Sequence, residues 1–179
     1  MTGGGLRRVV TGRMSCISIS GCGQVYVMDR ARQWTTALTA WCSGQPDLVP
    51  FHGTCLVHRA ELLQLGGAWG EAIEEAERAA AHAPNVEADT AADSCYQQGE
   101  IHWLRGDFEA AERAYRAASQ FGRDAQPGLG LLRLAQGRSA DALMARRRAL
   151  SSTSNRLQRA RLLPAAVEIA LASGELNDA

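Results

Sequence analysis

The chain has 179 residues, no lysine and a formal net charge of zero, with aromatics at 6% and alanine the commonest residue. A neutral chain carries no global field toward nucleic acid or a lipid surface. Few aromatic and β-branched residues among many alanines argue against a β-sandwich or barrel and for helices. No apolar run reaches the ~18 residues of a membrane span. Met1 to Met14 lacks the sustained apolar stretch of a signal peptide. The cysteines at 16, 22, 42, 55 and 95 have no repeated spacing and read as reduced thiols in a cytoplasmic protein.

In chain order, residues 1–12 show no helical pattern and are expected to be a disordered N-terminal segment. The rest, 13–179, reads as one all-α domain. Apolar periodicity places helices near 14–28, 31–43, 53–66, 69–83, 90–104, 107–121, 126–136, 139–151 and 156–173. Polar residues 85–92 read as a connection.

An internal repeat organises these helices. Ala60, Gly67, Ala72 and Ala79 are spaced by seven, five and seven residues. Gly99, Gly106, Ala111 and Ala118 repeat that spacing, as do Gly130, Gly137, Ala142 and Ala149. Trp69 and Phe108 each follow their glycine by two, and Pro84 closes the first copy. A weaker copy precedes, through Tyr26, Asp29, Ala31, Trp34 and Leu38 to Pro46, and a last one reaches Gly174 and Ala179. The copies lie near 13–50, 52–86, 90–123, 124–154 and 156–179, the last cut short. Gly67, Gly106, Gly137 and Gly174 stand where a left-handed residue ends a helix. Asp107 or Ser139 then caps the next. The small residues are expected at helix crossings, where axes approach to about 8–10 Å. Trp69, Phe108 and Tyr115 would fill the gaps beside them.

The glycine-to-glycine periods of 39, 31 and 37 residues straddle the ~34 residues of the tetratricopeptide repeat. The small–Gly–aromatic–Ala order, clearest in Gly99 to Ala118, resembles that repeat. The resemblance implies antiparallel helix pairs stacked as an α-α superhelix, a solenoid in which each pair buries the apolar face of the one before.

A search for chemistry gives bland readings. Cys55 with His58, and Cys95 with His102, lack the paired spacing that four zinc ligands need, and read as packed or surface residues. No nucleophile elbow is present, and the glycines at 3–5 and 21–23 lack the lysine of a phosphate loop. Glu71, Glu74, Glu75 and Glu77 read as a solvated helix face. The chain is therefore expected to be non-catalytic, with no cofactor and no metal. Charge placement says more. Twelve acidic residues and two arginines lie in 61–112, and nine arginines with two aspartates in 123–161. That asymmetry reads either as a docking surface or as neutralising contacts between repeats. Arg146-Arg147-Arg148 has no interleaved aromatic and is not a nucleic-acid motif.

A narrower likeness lies in Cys55-Leu-Val-His-Arg-Ala-Glu-Leu-Leu-Gln-Leu, Tyr96-Gln-Gln-Gly-Glu-Ile-His-Trp-Leu-Arg-Gly, Gln126-Pro-Gly-Leu-Gly-Leu-Leu-Arg-Leu-Ala-Gln-Gly and Arg161-Leu-Leu-Pro-Ala-Ala-Val-Glu-Ile. These phrases resemble the helical-repeat region of actinobacterial LuxR-type transcriptional regulators. The resemblance implies a sensing or oligomerising region that accompanies a helix-turn-helix domain. No segment here reads as that domain, so a fragment or shortened reading frame of such a regulator is expected, without direct nucleic-acid contact or membrane association. The alternative is a stand-alone repeat adaptor unconnected with transcription. Either acts through a protein or peptide partner, and self-association through an apolar C-terminal end is expected as well.

The candidate partner-binding face follows from the repeat. In stacked helix pairs the first helix of each pair lines the concave side. If Cys95, Gly99 and His102 face the paired helix, then Tyr96, Glu100 and Trp103 form a stripe into the groove at i, i+4, i+7. Glu61 and Gln64 match Glu100 and Trp103 in the preceding copy. Aromatics beside carboxylates suit a basic or amphipathic peptide. The competing reading is that Trp103 packs against the next helix pair.

Overall fold

The structure, a computed structural model, describes residues 3–24, 27–44, 49–82 and 88–175. Among these lie nine α-helices and no strand: α1 (Gly3–Gln24), α2 (Met28–Ser43), α3 (Val49–Leu65), α4 (Trp69–His82), α5 (Ala88–Leu104), α6 (Phe108–Gln120), α7 (Gly128–Ala135), α8 (Ser139–Ser152) and α9 (Arg156–Ala172). From α2 onward every helix begins and ends within about four residues of the span read from periodicity. α1 differs. It begins at Gly3, so residues 3–12 are helical rather than irregular. No proline precedes Pro46, and extending an existing helix fixes one residue per hydrogen bond gained. Of the expected connection 85–92, residues 88–92 belong to α5. The rest lies outside the described residues, as do Tyr26, Pro46, Pro84 and Ala179.

The helix ends follow the glycine pattern. Gly67, Gly106, Gly137 and Gly174 have φ between 74° and 81°. The sequence reading did not single out Gly122, which has φ 92°. At each, the glycine N–H donates to the carbonyl three residues back and the next N–H to the carbonyl five back, as in Gly106 to Trp103 and Asp107 to His102. This double bond satisfies carbonyls a helix end leaves open. Asp107 then caps α6, accepting from the Ala110 N–H at 3.0 Å. Ser139 does not cap α8. It is the first helical residue, and Arg138 holds the cap position without a side-chain bond. Arg138 Nε donates instead to Asp141.

The repeated small positions lie inside the fold. Ala60, Ala72, Ala76, Ala79, Ala111, Ala118 and Ala142 have no exposed surface, and Ala149 is buried. A Cβ on Gly99 would stand 2.6–2.7 Å from the Tyr115 ring of α6. Only glycine lets α5 approach α6 that closely. Beside the α3–α4 crossing the gap is filled by Ile73 and by Ile101 from α5, and Leu63 packs there too. Trp69, expected in that role, is 38% exposed, because isoleucine already occupies the space. Phe108 does pack as expected, against Ala111, Tyr115, Ala125 and Leu132.

Consecutive helices pack on one another, and the odd-numbered helices also touch in succession: α1 on α3, α3 on α5, α5 on α7 and α7 on α9. Ion pairs bridge neighbours. The buried Glu75 carboxylate on α4 meets Arg59 of α3 at 2.8 Å and Arg78 of its own helix. Glu112 on α6 meets Arg133 of α7 at 3.1 Å. Asp93 on α5 meets Arg123. Part of the charge asymmetry is thus spent on contacts between helices.

Candidate functional site

A cleft of about 440 Å³ opens along α3, α5 and the first turns of α9. That volume lies in the range of small-ligand sites. α3 contributes His58, Glu61, Leu62, Gln64 and Leu65, and α5 contributes Tyr96, Gln97 and Glu100. Arg123, Asp124, Gln126 and Pro127 come from the α6–α7 connection, and Gln158, Arg161 and Leu162 from the first turns of α9. Ile19 of α1 and Met28 and Ala31 of α2 also line it.

Four of the five residues singled out from sequence meet here. Glu61, Gln64, Tyr96 and Glu100 all line the cleft. The Gln97 amide donates to Gln64 Oε1 and ties α5 to α3. Trp103 is absent from the lining. It sits in the last turn of α5 and packs on the cluster of Ala111, Tyr115 and Leu132. Its i+7 spacing keeps it on the stripe, but the extra turn carries it past the end of the cleft and under α6 and α7.

Glu100 is the floor. The Tyr115 hydroxyl donates to Glu100 Oε1 at 2.7 Å. Burial raises the Glu100 carboxyl above its ordinary 4.5, and hydrogen bonds from Tyr115 and Tyr96 and the charges of Arg123 and Arg161 only partly offset it. Burial, with the Glu100 charge beside them, pushes the Tyr96 and Tyr115 hydroxyls far above the ordinary tyrosine range. Gly128 makes room, since a Cβ there would collide with Glu100 Oε1 and the Tyr115 hydroxyl. The Tyr96 ring stacks edge-on against Tyr115, centroids 5.5 Å apart. The Arg123 guanidinium lies 4.1 Å over the Tyr96 ring, a cation–π contact.

Glu61 is different. Its side chain is 47% exposed, and Oε2 lies 3.6 Å from His58 Nδ1. Burial alone would raise its carboxyl, but His58, Arg161 and Arg123 outweigh that and hold it below 4.5. His58 is itself buried, at 8% exposure, and neither ring nitrogen has a hydrogen-bond partner.

Sequence reasoning missed His58, Arg123 and Arg161 as cleft residues. His58 was legible, standing one turn before Glu61 on the same face of α3. Arg161 was not. Aligning α9 on Gly174 by the offset of Glu61 selects Glu168, which is exposed and outside the cleft, while the first turns of α9 reach it instead. Among the described residues no three His, Cys, Asp or Glu side chains gather as a metal set. No helix there is long and apolar enough to cross a membrane. Comparison with family models, curated proteins and solved structures finds no match.

Proposed function

We propose that the chain is a non-catalytic helical-repeat module, tetratricopeptide-like in its stacking, that receives a peptide segment of a partner in this cleft. One observation carries the reading. Residues from four separate segments, spread over 58–162, converge on one concavity walled by α3, α5 and α9, first helices in the repeat pattern, together with the α6–α7 connection. Repeat proteins generally bind on that side. The spacing of small residues and the odd-helix contacts support the superhelical stacking. The likeness of the phrases at 55–65, 96–106, 126–137 and 161–169 to LuxR-type regulators supports a role in transcriptional control, with DNA contacted by a separate helix-turn-helix. The cleft's mixed charges, hydrogen-bonding amides and apolar rim suit an amphipathic peptide.

The test uses Glu61→Gln combined with Gln158→Ala, because Glu61 is half-exposed, Gln158 is exposed, and both line the cleft. Tyr96 and Glu100 are unsuitable, being tied to the buried Tyr115. The tagged full chain is used to capture partners from its native cells. Capture lost at unchanged melting temperature supports the cleft. Capture unchanged by the double substitution removes it. A co-captured helix-turn-helix polypeptide favours the regulator over the stand-alone adaptor.

A further inference from the structure

The unsatisfied groups of the cleft narrow its ligand. Arg123 is neutralised by Asp93 and stacked on Tyr96. Glu100 is held by the Tyr115 hydroxyl, and Gln64 and Gln97 bind each other. Three groups are left open. Glu61 is half-exposed; its contact to His58 is long, and the charges of Arg161 and Arg123 act on it from farther off. Arg161, exposed on the first turns of α9, makes no ion pair among the described residues. His58 is more than nine-tenths buried, lines the cleft, and leaves both ring nitrogens without a hydrogen bond. A buried polar group without a hydrogen bond destabilises a fold, so His58, whose one polar contact is the 3.6 Å approach of Glu61, marks a place where an incoming polar group is expected. Around these three stand Leu62, Leu65 and Leu162, and Leu65 presents 61% of its surface.

A simple anion entering this cleft would face the carboxylate of Glu61. A simple cation would face the guanidinium of Arg161. A ligand carrying both signs on a short apolar frame meets neither penalty. Resting on the reading of the cleft as the binding face, we propose that it holds a compact apolar zwitterion: its ammonium against Glu61, its carboxylate against Arg161, its apolar body on the three leucines, and a polar atom completing His58. An apolar amino acid and a short peptide with both ends free share this chemistry, and either would compete with a partner's segment for the same cleft. Charged hydrogen bonds of this kind are the stronger ones in a partly desolvated site.

The experiment is calorimetric titration of the full chain with L-leucine, trileucine, N-acetyl-trileucine, trileucine amide and the doubly blocked tripeptide. The free-ended ligands bind, and blocking either end weakens binding about tenfold or more, a change readily resolved in Kd. Leucine binding more tightly than trileucine assigns the free amino acid as the source; the reverse order assigns the peptide. Glu61→Gln abolishes the penalty of acetylation and leaves that of amidation, while Arg161→Gln does the converse. Both side chains are solvent-accessible, so unchanged melting temperatures separate lost contacts from lost fold. A doubly blocked peptide that binds as well as the free one overturns the zwitterion and leaves the cleft as a binding face. Absence of binding by the whole panel also overturns it, and partner capture then judges the cleft independently.

Discussion

Tyr115→Phe deletes one oxygen from the middle of the molecule. The ring has no exposed surface, and the hydroxyl donates to Glu100 Oε1 at 2.7 Å. With Glu100 ionised, removing this hydrogen bond costs about 1.5–3 kcal/mol. For a domain of this size that lowers Tm by about 3–12 °C, at roughly 2–4 °C per kcal/mol. Glu100→Gln is the control, because its amide oxygen still accepts from Tyr115. In the Glu100→Gln background the same Tyr115→Phe change deletes a neutral bond, worth only about 0.5–1.5 kcal/mol. The cycle isolates the charged interaction. The pH dependence has a definite sign. Glu100 is raised in the folded state, so its contribution is fully present below the ordinary 4.5 and is lost as pH rises through the higher folded value. Glu100→Gln therefore gains stability relative to the parent as pH increases above 4.5. Denaturation followed by circular dichroism between pH 4 and 8 (about the carboxylate-to-neutral range) measures both effects. A Tyr115→Phe change within about 0.5 kcal/mol of the parent, or a Glu100→Gln protein losing relative stability with rising pH, refutes the buried bridge.

Phe108→Ala costs about 3 kcal/mol, the low end for phenylalanine truncation because the ring is only part-buried. Trp69→Ala costs less than about 1 kcal/mol, as an exposed side chain should; equal losses in urea titrations would show that the helix register is wrong. Gly106→Ala meets no neighbour within 4 Å and bears only the left-handed backbone penalty, about 1–2 kcal/mol. Gly99→Ala must also displace the Tyr115 ring and is the more damaging of the two; the opposite order in thermal melts contradicts the close α5–α6 approach. α9 exposes Leu163, Val167 and Leu171 at four-residue spacing, an apolar stripe suited to self-association. Sedimentation should show concentration-dependent oligomers that Leu163→Ser with Val167→Ser disperses, and a monodisperse monomer of the parent contradicts it.

The repeat was readable because its physics is local. A positive-φ glycine, a seven-residue offset to a small residue and a five-residue offset onward are fixed by helix geometry, so Gly67, Gly106 and Gly137 located three helix-pair turns directly. The partial failures come where distant segments decide. Trp69 and Phe108 hold equivalent positions, yet Phe108 is covered by α7 and Trp69 is displaced by Ile73 and Ile101. Trp103 keeps the periodicity of the stripe, but α6 and α7 pack over its turn. Arg161 enters the cleft through the placement of α9, on which the period of 37 residues gives no guidance. Residues 1–12 show no apolar periodicity from which a helix could be read, yet α1 begins at Gly3.

Binding in the cleft along α3, α5 and α9 can be seen by site-specific photocross-linking in the native cells. A photoreactive residue is placed at Gln64 or Gln158 inside the cleft, and at the exposed Glu74 of α4 or Arg148 of α8 outside it. Both cleft positions should label the same partner, and neither outer position should. Labelling from Glu74 or Arg148 with silence at Gln64 and Gln158 would contradict it.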